Sequence, residues 1–343
     1  MDIRQLIRTC QKEVRQVIDV DQATLDCLLL PIICDGHAVL HGMIGTGKTA
    51  VVMALAKTLG LEFGMYQCHS ETIPSDLEGF EKYNQKTHEF EIRKGPLLLY
   101  NLFLVDEINR MPPRAQAALL GPMAQGKVTI GNETLNVPCP FTVYATQNPI
   151  ETQGVYPLAE AQIDRFMMQI PFPYHSYDAT RKLLSYANAA ATHARIEQLP
   201  VILSKEAILE ARREVKEVAL GDAWRWITSL YLCCCTQAEL NGRAPRGWKP
   251  PELTEQCVRV GCSPRGARDL AQAARGLAYL EGTPIRREHI ERLAVPVLRH
   301  RLVLKRMLPE DYRGLAAAQQ VDKFLADVMP EALDRANRLP EPC

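Results

Sequence analysis

Apolar residues along this chain recur with two different spacings, which separate helical from extended segments. Near the N-terminus they recur every three or four positions, which predicts an amphipathic first helix: Ile3, Leu6, Ile7, Cys10, Val14, Val17 and Ile18. A second helix is predicted from about Gln22 to Ile33, shortened or kinked by Pro31. Beyond Asp35 and Gly36 the pattern changes to a short apolar strand, HAVL.

Further apolar runs predict strands and two hairpins. LFLVD ends at Asp106, and FTVYATQ, from Phe141, alternates as a second strand. Phe80–Pro96 and Gly126–Phe141 each alternate around a polar turn, which predicts β-hairpins. After Pro171 the spacing is helical to the end of the chain. The pattern therefore predicts an α/β core over residues 1–172 with N-terminal helices, followed by a helical domain over residues 173–343.

Composition narrows the class of protein. The 343 residues contain 40 Lys and Arg and 40 Asp and Glu, so the formal net charge is zero and predicts no strong non-specific binding to nucleic acid. Charges interrupt the N-terminal apolar residues, and no apolar run approaches the length of a membrane span, so a cytoplasmic protein without a signal peptide is expected. The eleven cysteines are scattered without a C-x-x-C pair, and Cys233–Cys235 are interpreted as small core residues.

One segment has the composition of a phosphate-binding loop. GMIGTGKT, Gly42–Thr49, follows the first strand and precedes an apolar helix, which is the setting that the pattern G-x-x-x-x-G-K-[ST] requires. Main-chain N–H groups there can face phosphates at a helix N-terminus. Lys48 is expected to reach the β and γ phosphates, and Thr49 to offer its hydroxyl to Mg²⁺. ATP is thus expected to contact Gly42, Gly45, Thr46, Gly47, Lys48 and Thr49.

Two adjacent carboxylates, Asp106 and Glu107, follow a strand that looks buried. Burying either charge without a partner is costly, so cations are expected beside them. In proteins with this phosphate loop, an acid at the end of a second strand holds the magnesium shell, and an adjacent Glu orients or deprotonates the attacking water. The sequence therefore predicts Mg²⁺ and Lys48 as the cations, with Thr49 and Asp106 as metal ligands.

Three later polar residues are candidates for the same site. Asn148 follows the strand FTVYATQ, where it is well placed to reach a γ-phosphate or its water. Arg165 lies just beyond a polar helix in LAEAQIDRF, and Arg265 lies near the start of a late helix in VGCSPRGARDLAQAA. Arginine stabilises the charge that develops in phosphoryl transfer, which makes both guanidinium groups candidates for catalysis.

The order of these motifs resembles one family. GMIGTGKT, IPSDLEG, DEINR, ATQNP, EAQIDRF, GCSPR and VPVLRHRL follow one another as in the MoxR family of AAA+ ATPases, in the clade with a helix-2 insertion. The resemblance implies a P-loop core with a parallel sheet, two β-hairpin insertions, an all-helical lid and a hexameric ring that remodels a partner protein. It also implies that Glu107 activates water and that Asn148 senses the γ-phosphate. Arg165 resembles a finger supplied to the neighbouring subunit, and Arg265 a lid residue that reports nucleotide state.

The resemblance also implies partners. The usual partner of the family is a protein with a von Willebrand factor A domain. A magnesium-chelatase-like motor subunit and a nucleic-acid-associated motor are the alternative functions. In the hairpins, Tyr83 and Lys86 are candidates for substrate contact, and a surface hairpin without a partner is an equal alternative.

Several charged or aromatic residues outside the motifs have two interpretations. The polar, proline-rich stretch Asn241–Leu253 is either a partner contact or a loop that Trp248 pins to the lid. Arg110 and Arg114 are interpreted as solvated helix charges and left out of the site. The basic run RHRLVLKR is interpreted as a solvated rim, with contact to nucleic acid as the alternative.

Overall fold

The computed structural model describes residues 2–43, 45–148, 154–172 and 189–340. The strands are β1 Ala38–Gly42, β2 Phe63–Gln67, β3 Gly79–Asn84, β4 Glu89–Lys94, β5 Leu102–Asp106, β6 Lys127–Ile130, β7 Glu133–Asn136, β8 Thr142–Gln147, β9 Met168–Phe172, β10 Val258–Val260 and β11 Val303–Leu304. The helices before residue 170 are α1 Ile3–Val17, α2 Gln22–Ile33, α3 Lys48–Thr58, α4 Pro74–Glu78, α5 Pro113–Ala118, α6 Leu120–Gln125 and α7 Glu160–Ile163.

The later helices are α8 Ala189–Glu197, α9 Lys205–Glu217, α10 Ala223–Cys233, α11 Gln237–Leu240, α12 Glu252–Cys257, α13 Pro264–Glu281, α14 Arg287–Leu298 and α15 Ala317–Arg335. The described contacts divide the chain into two units. The first contains Met1–Phe166 and Ile170–Arg213, and the second contains Met167–Gln169 and Glu214–Cys343.

A five-stranded sheet in the order β2-β5-β8-β1-β9 is the framework of the α/β core. Neighbours β2 and β5, β5 and β8, and β8 and β1 are parallel. The central strands are largely apolar because both faces of such a sheet are covered: Phe103, Val105, Val143 and Ala145 are fully buried. The predicted parallel core is therefore confirmed.

Helices α1 and α2 and the two hairpins form where the local sequence pattern predicts them. Asp2 and Asp21 accept main-chain N–H groups as the N-caps of α1 and α2, and α2 continues past Pro31 to Ile33. Strands β3 and β4 pair antiparallel, as do β6 and β7, which confirms the two hairpins. Their turns lie where the polar residues predicted them.

The first unit extends to Arg213, beyond the boundary at residue 172 that the pattern predicts. Helix α8 packs on α3, and the N–H groups of Ile202 and Leu203 donate to the carbonyl oxygen of Thr58. The buried guanidinium of Arg212 donates to the carbonyl oxygen of Ile32 and pairs with Asp35. These long-range contacts attach α8 and most of α9 to the core. Residues 173–188 of the predicted second domain lie outside the described residues.

The second unit is a helical lid in which α10, α13, α14 and α15 pack together. Leu230, Leu277 and Phe324 are buried in it, and Cys233–Cys235 are core residues as predicted. A short antiparallel pair, β10 and β11, accompanies the helices. Helical spacing cannot indicate such a pair, because each strand has only two or three residues.

Contacts within the lid decide the interpretation of Trp248, and burial decides that of two residues in the basic run. Trp248 packs on an apolar cluster of the lid, the guanidinium of Arg335 lies 5.8 Å from its ring centroid, and Arg335 donates to the carbonyl oxygen of Lys249. Trp248 thus pins its loop to the lid. The solvated-rim interpretation of RHRLVLKR is wrong for Arg299 and Arg301, because both are 6% exposed and pair with acids of the lid.

No helix among the described residues combines the length and the apolar character needed to cross a lipid bilayer.

His37, just before β1, links the core to the helix that precedes the second hairpin. Its Nδ1 accepts the N–H of Val143 at 3.0 Å, so the ring proton lies on Nε2, which is 3.0 Å from the carbonyl oxygen of Met123. The contact at Nδ1 requires the neutral ring, because a protonated Nδ1 could not accept the N–H of Val143. Burial lowers the pKa of His37 from 6.5 to about 4.

This linkage predicts an acid-sensitive stability. Because the unfolded state binds the proton more tightly, the contribution of neutral His37 is complete above pH 6.5 and is lost as pH falls towards about 4. The loss is on the order of 3 kcal/mol. Urea midpoints measured from pH 7 to pH 4.5 should fall more steeply for the wild type than for His37→Gln, which cannot titrate. Parallel curves would contradict this assignment.

Candidate nucleotide site

Predicted site residues of the phosphate loop and of the strand ends lie at one edge of the sheet. The register pairs His41 with Gln147, Val105 with Ala145, and Gln67 with Asp106. Strands β1, β8, β5 and β2 therefore end side by side, at their carboxyl ends. Ligands of open parallel sheets bind at this edge.

The phosphate loop turns from β1 into α3 at this edge. Gly42 ends β1, and Gly45 and Gly47 have φ angles of 82° and 81°, a left-handed conformation that glycine adopts without steric cost. Gly47 is the N-cap of α3, so the open end of the helix faces the loop. The buried hydroxyl of Thr46 donates to the carbonyl oxygen of Met43 at 2.9 Å, which closes the turn.

Lys48 and Thr49 are the first two residues of α3. The Lys48 ammonium donates to the carbonyl oxygens of Gly42 and Met43 at 2.9 and 2.6 Å, so its side chain folds back over the loop. Partial burial lowers the pKa of Lys48, and the charges of Asp106 and Glu107 oppose that shift. The two carboxylates thus act on the cation that the sequence predicted beside them.

The hydroxyl of Thr146 makes hydrogen bonds to both acidic residues, Asp106 and Glu107. Asp106 ends β5, and its Oδ1 accepts the hydroxyl of Thr146 at 2.5 Å. The same hydroxyl oxygen accepts the N–H of Glu107 at 2.8 Å. Glu107 has a φ of 56°, which is uncommon for a residue with a side chain. The hydrogen bond from its N–H helps to hold that conformation, so Thr146 fixes the relative placement of the two carboxylates.

The Glu107 carboxylate is held from two sides. Its Oε2 accepts the amide of Gln67, at the end of β2, at 2.8 Å, and it lies 3.1 Å from Nε of Arg110. Arg110, predicted to be a solvated helix charge, therefore contacts the site. The short helical turn Ile108–Arg110 brings the guanidinium back over the acid three residues earlier. Arg114, the other charge left out of the site, is exposed.

The remaining candidates occupy three places. Asn148 directly follows β8 at the same edge and is buried. Arg165 is half-buried after α7, where its Nη1 donates to the carbonyl oxygen of Leu120 at 3.2 Å. Arg265 belongs to the second unit, as the second residue of α13.

Thr146 and Gln67 were missed by sequence reasoning. The feature that indicates them is the parallel pairing of the strands, because each residue lies near the end of a strand next to β5.

The residues present fit a nucleotide with a divalent cation. A left-handed glycine turn, a helix N-terminus and Lys48 supply donors for phosphate oxygens. Thr49 and Asp106 supply a hydroxyl and a carboxylate, which are ligands that Mg²⁺ prefers. Within the described residues, no group of three or more His, Cys, Asp or Glu side chains could hold a metal ion. A divalent cation here would therefore need further oxygen ligands from phosphate and water.

Comparison with known proteins agrees with this geometry. The profile of the ATPase family associated with various cellular activities (AAA) matches residues 37–168, and that of the AAA lid domain matches residues 251–323. The chain is 34% identical over 299 residues to Chaperone MoxR1 of Mycobacterium tuberculosis, covering 85% of this chain and 74% of that one. It is 28% identical to Protein MoxR of Paracoccus denitrificans over 308 residues, covering 87% of this chain and 88% of that one.

The chain belongs to the MoxR family of AAA+ ATPases. An uncharacterised protein, YeaC of Bacillus subtilis, is 33% identical over 332 residues, which is 95% of each chain. The crystal structure of a candidate ATPase from Cytophaga hutchinsonii superposes with a TM-score of 0.80 at 33% identity, over 94% of each chain. This MoxR-family protein therefore has the α/β core and helical lid of its family, binds nucleotide and is an ATP hydrolase.

Proposed function

We propose that this MoxR-family ATPase uses Mg-ATP hydrolysis to remodel or activate a partner protein, as a hexameric ring in the cytoplasm. The observation that supports this most directly is the pairing of a hydrolytic acid with an exposed aromatic hairpin. Glu107 is fixed beside Asp106 and Lys48, and the hairpin of β3 and β4 exposes large apolar side chains in the same unit.

Each site residue has a chemical task in this proposal. Lys48 and the N–H groups of the loop donate to the phosphate oxygens. Thr49 and Asp106 would hold Mg²⁺, which would supply positive charge to neutralise the phosphates. Glu107 accepts a proton from the attacking water, and Asn148 orients that water or the γ-phosphate.

Two arginines complete the proposed chemistry. Arg165 stabilises the transition-state charge at the site of a neighbouring subunit, and Arg265 contacts the nucleotide from the lid. Arg165 donates a 3.2 Å hydrogen bond to the carbonyl oxygen of Leu120, which is a neutral acceptor. A phosphate oxygen is the stronger acceptor for a guanidinium, so exchange of this contact is favourable.

The hairpin of β3 and β4 is the proposed contact with the partner. Phe80, Tyr83 and Phe90 are 52%, 46% and 69% exposed. Tyr83 and Phe90 are directly opposite across the strands, with ring centroids 5.3 Å apart. Neighbouring exposed aromatic rings are characteristic of interaction surfaces. We therefore assign substrate contact to Tyr83 and Phe90, with Lys86 in the turn between their strands.

The proposed chaperone function is based on similarity to relatives. A curated relative is named Chaperone MoxR1, and the partner class proposed from the family resemblance is a protein with a von Willebrand factor A domain. A nucleic-acid motor is supported by no comparable observation. The net charge is zero, and Arg299 and Arg301 of the basic run are buried in ion pairs.

Nucleotide-dependent capture tests the proposal. Glu107→Gln, immobilised with Mg-ATP, should retain a partner that it releases with ADP, and that purified partner should stimulate the ATPase activity of the wild type. Adding Tyr83→Ser and Phe90→Ser should abolish retention, because both exposed rings are removed. Adding Met307→Ser is the matched control, since Met307 is an exposed apolar residue of the second unit.

Two results would contradict the proposal. Retention that is insensitive to nucleotide and to the hairpin would exclude ATP-driven remodelling through this surface. DNA that binds tightly, with a steep salt dependence, and stimulates the ATPase activity would favour the nucleic-acid motor.

A further inference from the structure

The motif VPVLRHRL has no role in the chemistry above, yet it buries two guanidinium groups. Arg299 and Arg301 lie in the short helical turn Arg299–Arg301 that follows α14, and the exposed fractions of their side chains are 5% and 1%. A buried charge without a partner is strongly unfavourable, so the partners of these two residues indicate what the motif does.

Arg301 is attached to α13, the helix whose second residue is Arg265. Its Nη2 lies 2.6 Å from Oδ2 of Asp269, and its Nη1 donates to the carbonyl oxygen of Val297 at 2.7 Å. Asp269 lies four residues after Arg265 on α13, and residues four apart occupy the same face of a helix. The ion pair therefore acts one turn away from Arg265.

The aliphatic part of Arg301 lies against the same turn. A Cβ atom at Gly266 would come within 3.2 Å of Cδ of Arg301 and within 2.2 Å of Sγ of Cys262. Only glycine allows this approach without movement of the neighbours. Arg301 thus contacts α13 at two positions that follow Arg265: through its stem at Gly266 and through its charge at Asp269.

We propose that Arg301 is a positioning residue, which acts through Asp269 to fix the first two turns of α13 and with them the direction of the Arg265 side chain. The inference rests on the proposed contact of Arg265 with nucleotide. A tilt of these turns would displace the Arg265 guanidinium, and catalysis by a positioned charge is sensitive to displacements of about 1 Å.

Arg299 provides a matched control in the same turn. Its Nη2 lies 2.9 Å from Oδ2 of Asp322, which belongs to α15. Replacing Arg299 or Arg301 by Met therefore removes a buried ion pair of the lid and keeps an apolar stem of similar length. Only the Arg301 pair is made with the helix of Arg265.

A double-mutant cycle on the full chain distinguishes positioning from general stability. Thermal midpoints and the kcat and KM for ATP are measured for Arg301→Met, Arg299→Met, Arg265→Ala and the Arg265→Ala/Arg301→Met pair, below all melting transitions. Arg301→Met should lower kcat by about tenfold or more, and should change kcat by less than about twofold when Arg265 is already Ala. Arg299→Met should lower the thermal midpoint while leaving kcat within about twofold of the wild type.

A conservative variant covers the case in which Arg301→Met does not fold. Arg301→Lys keeps a cation that reaches Asp269, and we expect it to retain kcat to within about threefold while Asp269→Ala does not. Equal loss of kcat in Arg301→Lys and Asp269→Ala would overturn the proposal.

The remaining outcomes are also distinct. A loss in the double variant that multiplies the two single losses would mean that Arg301 acts independently of Arg265, and would overturn the positioning role alone. The same conclusion follows if Arg299→Met lowers kcat as much as Arg301→Met. Unchanged kcat in Arg265→Ala would instead reject the proposed nucleotide contact of Arg265, and the positioning role with it.

Discussion

Replacing Glu107 by Gln is expected to leave Mg-ATP bound while lowering kcat by about 10²- to 10⁴-fold, the usual contribution of a general base. The amide has the shape of the carboxylate but cannot accept a proton from water. The Thr146 hydroxyl accepts a hydrogen bond from the main-chain N–H of residue 107 and donates one to Asp106. Neither bond involves the side chain of residue 107, so both should persist in the variant. The measurements are phosphate release in the steady state and ATP affinity by isothermal titration calorimetry.

Two further variants separate binding from chemistry. Lys48→Ala should lose most ATP affinity, because it removes the ammonium that lies over the loop. Thr146→Val keeps the shape of the side chain and removes the hydroxyl bridge, so it should lower kcat with a smaller effect on affinity. Turnover near the wild-type rate in Glu107→Gln would show that another group activates the water. Unchanged ATP affinity in Lys48→Ala would show that the loop assignment is wrong.

The parts of the fold that sequence predicts are those governed by local rules. The helical spacing of α1, the alternation in the hairpins and the glycine turn at Gly45 and Gly47 depend on residues only a few positions apart. The parallel sheet of the core follows once the order of the motifs indicates the family. The end of the first unit does not, because it depends on Arg212 reaching Ile32 and Asp35 across the fold.

The same distinction applies within the site. Lys48, Thr49, Asp106 and Glu107 belong to motifs that can be recognised along the chain. Thr146 and Gln67 act on the acids from neighbouring strands, and their roles depend on a register between segments about 40 residues apart. The sequence also does not show which arginine after Asp106 and Glu107 contacts the site. Arg110 pairs with Glu107, whereas Arg114, four residues later, is exposed.

Burial of charge also limits what a sequence can indicate. A run such as RHRLVLKR has the composition of a solvated surface, and its first two arginines would be expected in water. Arg299 and Arg301 are buried because Asp322 and Asp269 lie on helices that pack against their turn. Neither acid is near the run in sequence, so the pairs become visible only in the folded lid.

A shared active site predicts that two inactive variants restore activity to each other. If Arg165 acts at the γ-phosphate of a neighbouring subunit, Arg165→Ala should bind ATP and hydrolyse it about 10³- to 10⁵-fold more slowly, the range known for arginine fingers. Glu107→Gln should be inactive for a different reason, because it lacks the general base that accepts a proton from water. In a mixed ring, an intact Glu107 of one subunit meets an intact Arg165 of the next at some interfaces.

Phosphate release from mixtures at several ratios tests this directly, above the assembly concentration and with time for subunit exchange. With random assembly at equal amounts, about one quarter of the interfaces combine both intact residues, because each is supplied by half of the subunits. Activity should therefore peak near the equimolar mixture. The control is a chain with both substitutions, which contributes neither residue and should restore nothing to either single variant. If mixed oligomers are confirmed by mass and no ratio recovers activity, Arg165 acts within its own chain or not in catalysis.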